Sequence, residues 1–517
     1  MYDASRLDPA TSYLNPFKHD PAYNGSTIDV DDEPSEEMVE LPATEEGFID
    51  ARLLCTDRAN GKRFHALHGE TVKYVTGQKK FIIYRGTHWE YVEDSVIHGL
   101  AKEISDEVIR EALVAQGEDR EELLKWAKTS ANDRRIEAAV KLFKSEPGIT
   151  ITPAQLDANP WKLNCKNGTI DLQGGKLLPH DQSDFITKIC PTNYVADAKC
   201  DLWEESLRKI FNAGEESELL QFFQRLCGYS IAGDVREQIL AIFYGHGSNG
   251  KSLVIETKAN VIGPDYFCKA PRDFLTVTKG DRHPTEIADL FGKRICVATE
   301  TERGGRLSEG LVKELTGGDT IKARRMREDF WSFKPTHQLV IVTNHKPSIK
   351  GSDHGIWRRI VLIPFTEKFW NPDSGETGPE DRQQDKDLPN KLKAEHEGIL
   401  SWMIRGCLEW QKNGLQIPAS VRAATDEYRE SEDVIGRFLE ECTLSSPGSI
   451  VTSAGLYKRY CEWCDDNGEH AMKQNNLGTA LHERGYESKR GTGGRREWKG
   501  FVLVIDSNSK SWGSDDE

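Results

Sequence analysis

The sequence predicts a multidomain α/β chain. It has a central domain on a parallel sheet, a mixed α+β domain before it, and a helical region plus a winged helix after it. Three observations carry this. Between residues 238 and 365, short apolar runs alternate with helical segments, the pattern of strands joined by crossover helices. A glycine-rich octet, "GHGSNGKS" (Gly245–Ser252), directly follows one of those runs. The chain has 517 residues, more than one core organises, so two to four folded domains are expected.

Residues 1–47 are polar, proline-punctuated and acidic, with Asp29, Asp31, Asp32, Glu33, Glu36, Glu37 and Glu40 close together. They read as a disordered leader. Residues 48–203 form the α+β domain. "KKFIIYRGTHWEYV" alternates like two strands around a turn at Gly86. "EELLKWAKTSANDRRIEAAVKLFKS" has helical period, with Leu123, Leu124, Ala127, Ile136, Ala139 and Val140 as core positions. "KNGTIDLQGGKLLPHD" reads as a hairpin around Gly174 and Gly175.

Residues 204–368 form the central domain with its preceding helical segment. The octet fits G-x-x-x-x-G-K-[ST] at Gly245, Gly250, Lys251 and Ser252. The buried strand "QILAIFY" precedes it, and a helix begins at Ser252. The order is what phosphate binding needs. Glycines let backbone N–H groups turn inward around oxygens, and a helix N-terminus adds its dipole. Lys251 reaches the β and γ phosphates, and Ser252 ligates Mg²⁺. Gly245, His246, Gly247, Ser248, Asn249, Gly250, Lys251 and Ser252 are therefore the nucleotide-binding candidates. Asn249 is placed to steer the γ-phosphate or water; His246 has no derivable role.

A second carboxylate should close a neighbouring strand. "KRICVATETE" supplies Glu300 as the metal-side acid and Glu302 to orient the attacking water. "HQLVIVTN" ends in Asn344, a residue type able to hold that water or sense the γ-phosphate. "GIWRRIVLIPF" sets Arg358 and Arg359 before another apolar strand, where an arginine at a subunit boundary can stabilise transition-state charge.

"DSGETGPEDRQQDKD" (373–387) reads as a polar surface excursion. Residues 369–444 are otherwise helical. Residues 445–505 run helix, helix, then two strands around a basic glycine-rich turn, which predicts a winged helix. Residues 506–517 are a tail.

The formal net charge of −16 argues against a wholly basic nucleic-acid binder, but basic residues concentrate in two places. Lys322, Arg324, Arg325 and Arg327 fall within six residues, and Lys489, Arg490, Arg495, Arg496 and Lys499 surround the C-terminal turn. Either cluster can grip phosphates. Eleven scattered cysteines fit a reducing cytoplasm. The lone CxxC pair, Cys461 and Cys464, lacks a second half for zinc. No apolar run has the length to span a bilayer, so no membrane partner is expected.

Taken in order, these motifs resemble a superfamily 3 helicase of the phage/plasmid and poxvirus primase-helicase type. The phrases that carry the resemblance include "LCGYSIAGDVREQILAIFYGHGSNGKS", "LFGKRICVATETERGGRLSEGLVKELTGGDTIKARR", "FKPTHQLVIVTNHKPSI" and "DHGIWRRIVLIPF". It covers roughly residues 80–505. It implies an AAA+-like ATPase in a homohexameric ring that hydrolyses ATP with Mg²⁺, threads single-stranded DNA through its pore and unwinds the duplex at a fork. Lys251 and Ser252 then act on phosphate and metal, Glu300 is the metal-side acid, Asn344 the sensor, and Arg359, with Arg358 second, the arginine finger. The basic segment at 322–327 is the pore hairpin. Thr301 separates Glu300 from Glu302, where many relatives outside this branch have adjacent acids. The length leaves no room for a primase domain, so a helicase-only form working with a separate primase is expected, in phage, prophage or plasmid replication in a bacterial cytoplasm. The rival reading is an ATP-controlled replication initiator or loader without processive unwinding.

Overall fold

The computed structural model describes residues 51–277, 284–299, 305–326, 330–349, 354–491 and 495–504. The acidic leader and the tail lie outside the described residues.

The N-terminal part starts with helices α1 (Ala51–Leu54) and α2 (Asp57–His68). Three antiparallel strands follow, β1 (Val72–Val75), β2 (Lys80–Tyr84) and β3 (Trp89–Val92). Then come α3 (Asp94–Ala101), α4 (Glu103–Val114), α5 (Gly117–Ser130) and α6 (Asp133–Phe143), and β4 (Thr150–Ile151). β4 joins β1 in parallel, giving the order β3-β2-β1-β4. The turn at Gly86 is where the alternation placed it, with Tyr84 opposite Trp89. The helical stretch is two helices, because Asn132 leaves the helical region and starts α6. Leu123, Ala127, Ile136, Ala139 and Val140 are buried as expected. Leu124 is not: it is 43% exposed on the outer side of α5.

The helices of this part share one buried ion pair. Arg63 is 1% and Glu111 2% exposed. The guanidinium donates Nε to Oε1 at 2.8 Å and Nη2 to Oε2 at 2.5 Å, and Nη1 donates to the Leu54 and Asn60 oxygens. Glu111→Ala would leave that cation buried without its carboxylate, at a cost of about 3–5 kcal/mol. Chemical denaturation should show this as a lower midpoint, with Glu111→Gln losing less.

An antiparallel meander follows, β5 (Lys162–Cys165), β6 (Gly168–Asp171) and β7 (Lys176–Leu178). Its last turn is the expected hairpin at Gly174 and Gly175. Helices α7 (Asp201–Phe211) and α8 (Glu218–Tyr229) lead into the central sheet. That sheet contains β8 (Leu240–Tyr244), followed by α9 (Lys251–Tyr266), β9 (Phe267–Lys269), α10 (Pro284–Ala288) and β10 (Ile295–Thr299). Helix α11 (Glu309–Thr316) then precedes a small hairpin, β11 (Ile321–Ala323) and β12 (Trp331–Phe333). The sheet is completed by β13 (Gln338–Thr343), α12 (His354–Trp357) and β14 (Ile360–Pro364). Its order is β14-β8-β13-β10-β9, parallel throughout.

Both faces of this sheet are covered, which explains the continuous apolar runs. Alternate residues point to opposite sides. Ala241 and Phe243 of β8 join one core with Val340, Val361 and Ile363, while Leu240 and Ile242 join the other with Leu339, Ile341 and Leu362. The first core also takes in Leu163, Ile170 and Cys190. Packing is thus continuous across residue 203, where the sequence set a domain boundary, because the β5–β7 meander lacks a second layer of its own.

His337, just before β13, is 2% exposed, and neither ring nitrogen has a hydrogen-bond partner among the described residues. Burial pushes its pKa from 6.5 down to about 4. The folded state therefore resists a proton that the unfolded chain accepts. Stability present above pH 6.5 is lost as pH falls through 4, by up to about 3 kcal/mol. Thermal unfolding at pH 7 and pH 4.5 should show this loss, and His337→Leu should shrink it.

The C-terminal part begins with α13 (Leu388–Lys393), α14 (His396–Asn413) and α15 (Ala419–Glu432). It ends with α16 (Val434–Cys442), β15 (Thr443–Thr452), α17 (Ser453–Asp466), α18 (Gln474–Glu483), β16 (Ser488–Arg490) and β17 (Arg496–Leu503). The sheet order β15-β17-β16, with two helices between its first two strands, is a winged-helix topology. Helix α16 and strand β15 extend the expected unit toward its N-terminal side. Cys461 and Cys464 both lie on α17; Cys464 is buried in this unit's core beside Tyr460.

Candidate nucleotide site

The site lies at the C-terminal edge of the parallel sheet, where β8 turns into α9. The turn needs its glycines. Gly247 and Gly250 have φ of 100° and 87°. A Cβ on Gly250 would lie 2.6 Å from Ile210 Cδ1, and one on Gly245 would lie 2.1 Å from Asn249 Nδ2. Asn249 is 4% exposed. Its amide donates to Phe365 O at 3.0 Å and its Oδ1 accepts from Lys251 at 2.9 Å. Asn249 therefore braces the loop and its lysine, rather than standing free to steer phosphate or water.

Lys251 is the first residue of α9 and is 5% exposed. Its Nζ donates to Gly245 O at 2.7 Å, Asn249 Oδ1 at 2.9 Å and Asn344 Oδ1 at 3.2 Å. Burial lowers its pKa from the ordinary lysine value, so the ammonium gains from a nearby negative charge. Asn344 comes from the end of β13, held by a turn in which Thr343 Oγ1 donates to His345 O at 2.6 Å.

These residues open on a cavity of about 620 Å³. Gly247, Ser248, Asn249, Gly250, Lys251, Ser252 and Asn344 line it. Ser252 is exposed there, so its hydroxyl is open to a metal ion arriving with a triphosphate. His246 is not on this wall; its ring is T-shaped to Tyr244 at 5.4 Å. Glu300 and Glu302 lie outside the described residues. Thr299, which ends β10, pairs with Val342, itself on the cavity wall.

One wall was not legible as part of a site. Helix α7 contributes Leu202, Glu205, Ser206, Lys209 and Ile210, and residues 380–389 supply the facing side. A distant carboxylate sets α7: Glu395 accepts from Leu202 N at 3.0 Å and Trp203 N at 2.9 Å, capping the helix start.

The two arginines differ in exposure. Arg359 is 8% exposed and donates to Thr316 Oγ1 at 3.2 Å and Gly355 O at 2.6 Å. Its guanidinium is thus enclosed by groups of its own chain, at the residue the sequence placed first as the finger. Arg358 is exposed and donates to Gln238 Oε1 at 2.8 Å. Both precede β14, whose Ile360 pairs with Leu240 at the start of β8. They stand at the opposite edge of the sheet from the loop, about 17–20 Å along the strand direction.

The basic segment is a hairpin, with Lys322 opposite Ser332. Lys322 and Arg324 sit over the Phe330 ring at 4.8 and 4.7 Å. Met326 is 71% and Phe330 51% exposed at its end, while Trp331 and Phe333 pack on Phe291 and anchor its base. Arg325 is half-buried, and Arg327 lies outside the described residues. In the winged helix, Lys489, Arg490, Arg495 and Arg496 are exposed on β16, the end of the turn and β17, with Arg490 opposite Arg496.

Strand, glycine-rich turn and helix on an all-parallel sheet define a P-loop architecture, carried between an α+β N-terminal region and a winged helix. Three family models match in chain order: "D5 N terminal like" over residues 61–212, a family of unknown function (DUF5906) over 243–359, and "Poxvirus D5 protein-like" over 430–500. In its N-terminal and C-terminal regions the chain is thus similar to D5-like primase-helicases. An inferred helicase of Acanthamoeba polyphaga mimivirus is 27% identical over 328 residues, covering 60% of this chain and 34% of the relative. An inferred helicase of Frog virus 3 is 26% identical over 48% of this chain and 27% of its own. An inferred primase of African swine fever virus (strain Badajoz 1971 Vero-adapted) is 24% identical over 60% of this chain and 34% of its own. The chain thus matches about a third of these relatives' length. They come from large DNA viruses, where the sequence pointed to phage, prophage or plasmid company. The solved apo structure of the NrS-1 C-terminal region aligns with 85% of this chain and 98% of its own, at 12% identity and a TM-score of 0.47. Among the described residues, no helix is long and apolar enough to cross a membrane.

Proposed function

We propose that this chain is an ATP-dependent DNA helicase acting in DNA replication, an AAA+-like ATPase that hydrolyses ATP between the subunits of a ring. The observation that carries this reading is Lys251: a buried ammonium held by Gly245, Asn249 and Asn344 at the mouth of a nucleotide-sized cavity. Its three oxygen partners hold it where β and γ phosphates would arrive, and phosphate oxygens would take over part of that coordination. A Mg²⁺ bound with ATP would meet Ser252 and would supply charge neutralisation of the phosphates.

The position of the arginine pair supports a ring. Arg358 is too far from its own loop to act there, so a neighbour's Arg358 would complete the site. The exposed Lys322, Arg324 and Phe330 suit single-stranded DNA, pairing cations with phosphate and a ring with a base. The winged helix offers a basic edge to duplex. The inferred helicases of mimivirus and Frog virus 3 are in keeping with this assignment.

Strand displacement on a forked duplex tests it, with Lys251→Ala as control. ATP-dependent displacement by the wild-type chain alone is expected. ATP-dependent DNA binding without displacement would instead favour the initiator or loader.

A further inference from the structure

We propose that the segment 369–389 is the nucleobase-recognising wall of the cavity, selecting a base with an exocyclic amino group, adenine first. This deepens the ATPase reading and rests on it.

The segment has the composition of a solvated loop, yet it is fixed in place. Phe369 N donates to Ser248 O at 2.7 Å, tying its start to the phosphate loop. Arg382 donates to Lys209 O and, at 2.9 Å, to Asn212 Oδ1, and pairs with Glu367 at 3.1 Å. Trp370 N donates to Arg382 O at 3.0 Å, and Gln384 N to Trp370 O at 2.9 Å. These bonds clamp the segment against the end of α7 and leave its other side facing the cavity.

Charge sets which end of a nucleotide goes where. The phosphate-loop end carries Lys251. The 380–389 side carries three acids, Glu380, Asp381 and Asp385, against one cation, Lys386, and so is net negative. A triphosphate is repelled by those carboxylates, so the neutral base and sugar must lie on that side. Phe369 and Leu388 add flat and apolar surface to this segment's lining, Gln383 and Gln384 line the cavity with them, and Leu202 and Ile210 of α7 add apolar surface from the other wall. A glutamine amide presents a donor beside an acceptor, which matches the amino group and ring nitrogen of adenine. Carboxylates nearby accept from an amino group and repel the two carbonyls of uracil.

Calorimetric titration of the full chain with ATP, UTP and inorganic tripolyphosphate, each with Mg²⁺, tests this. ATP should bind at least about tenfold tighter than UTP or tripolyphosphate. Gln383→Ala/Gln384→Ala should bring ATP to within about threefold of UTP and leave tripolyphosphate unchanged. If the double variant keeps the preference, or weakens tripolyphosphate as much as ATP, the wall does not read the base. If the wild-type chain binds neither ATP nor tripolyphosphate, the phosphate-loop reading itself falls. An unchanged melting temperature of the double variant confirms that it folds.

Discussion

Lys251→Ala is expected to lower ATP turnover by about 10²–10³-fold, the loss typical of removing one pre-organised group that stabilises developing charge. The lysine is buried and already aimed by three oxygens, so no reorganisation is needed when phosphate arrives. Its removal also leaves the oxygens of Gly245, Asn249 and Asn344 without this donor, which costs about 1–3 kcal/mol for each that stays dry. A thermal melt must therefore accompany the rate measurement. Asn344→Ala separates the two effects. It removes a single acceptor from Lys251, on a side chain that is exposed, and should spare the fold. If Asn344 senses the γ-phosphate, turnover falls with little change in ATP affinity. Equal losses in affinity and turnover would reduce it to a support for the lysine.

Arg358→Ala and Arg359→Ala should behave as opposites. Arg358→Ala keeps the fold and lowers turnover by about 10³–10⁵-fold, the range of an arginine finger. Arg359→Ala deprives Thr316 and Gly355 of a buried donor and lowers the unfolding midpoint instead. Mixing supplies the decisive readout. Chains carrying Lys251→Ala still offer Arg358, and chains carrying Arg358→Ala still offer Lys251. Mixed rings regain activity at interfaces where both intact groups meet. Arg358→Ala with turnover within about threefold of wild type would sink the finger assignment, since a true finger contributes far more.

The phosphate loop was legible because its meaning is local. Gly245, Gly250 and Lys251 must follow a strand and open a helix, and all of that lies within about fifteen residues of chain. Asn344 was legible for a related reason: an apolar run ending in a polar residue marks a strand tip, and parallel strands bring their tips to one edge. The choice between Arg358 and Arg359 was not. Neighbouring residues at a strand entry face different ways, and only the positions of Thr316 and Gly355 around Arg359 show which one is enclosed. Leu124 failed similarly, since helical period allowed it on the buried side and the packing of α5 turned it out.

By itself, then, the sequence determined the parallel sheet, the phosphate loop and the order of the elements around it, because backbone geometry and hydrophobic period act over short stretches. Tertiary structure decided what those stretches face. It made the polar segment around Gln383 and Gln384 a cavity wall through the contacts of Arg382 with α7. It set α7 with Glu395, and it joined the β5–β7 meander to the core of the central sheet. Each of these depends on residues brought together from far apart in the chain, and no local pattern specifies such pairings.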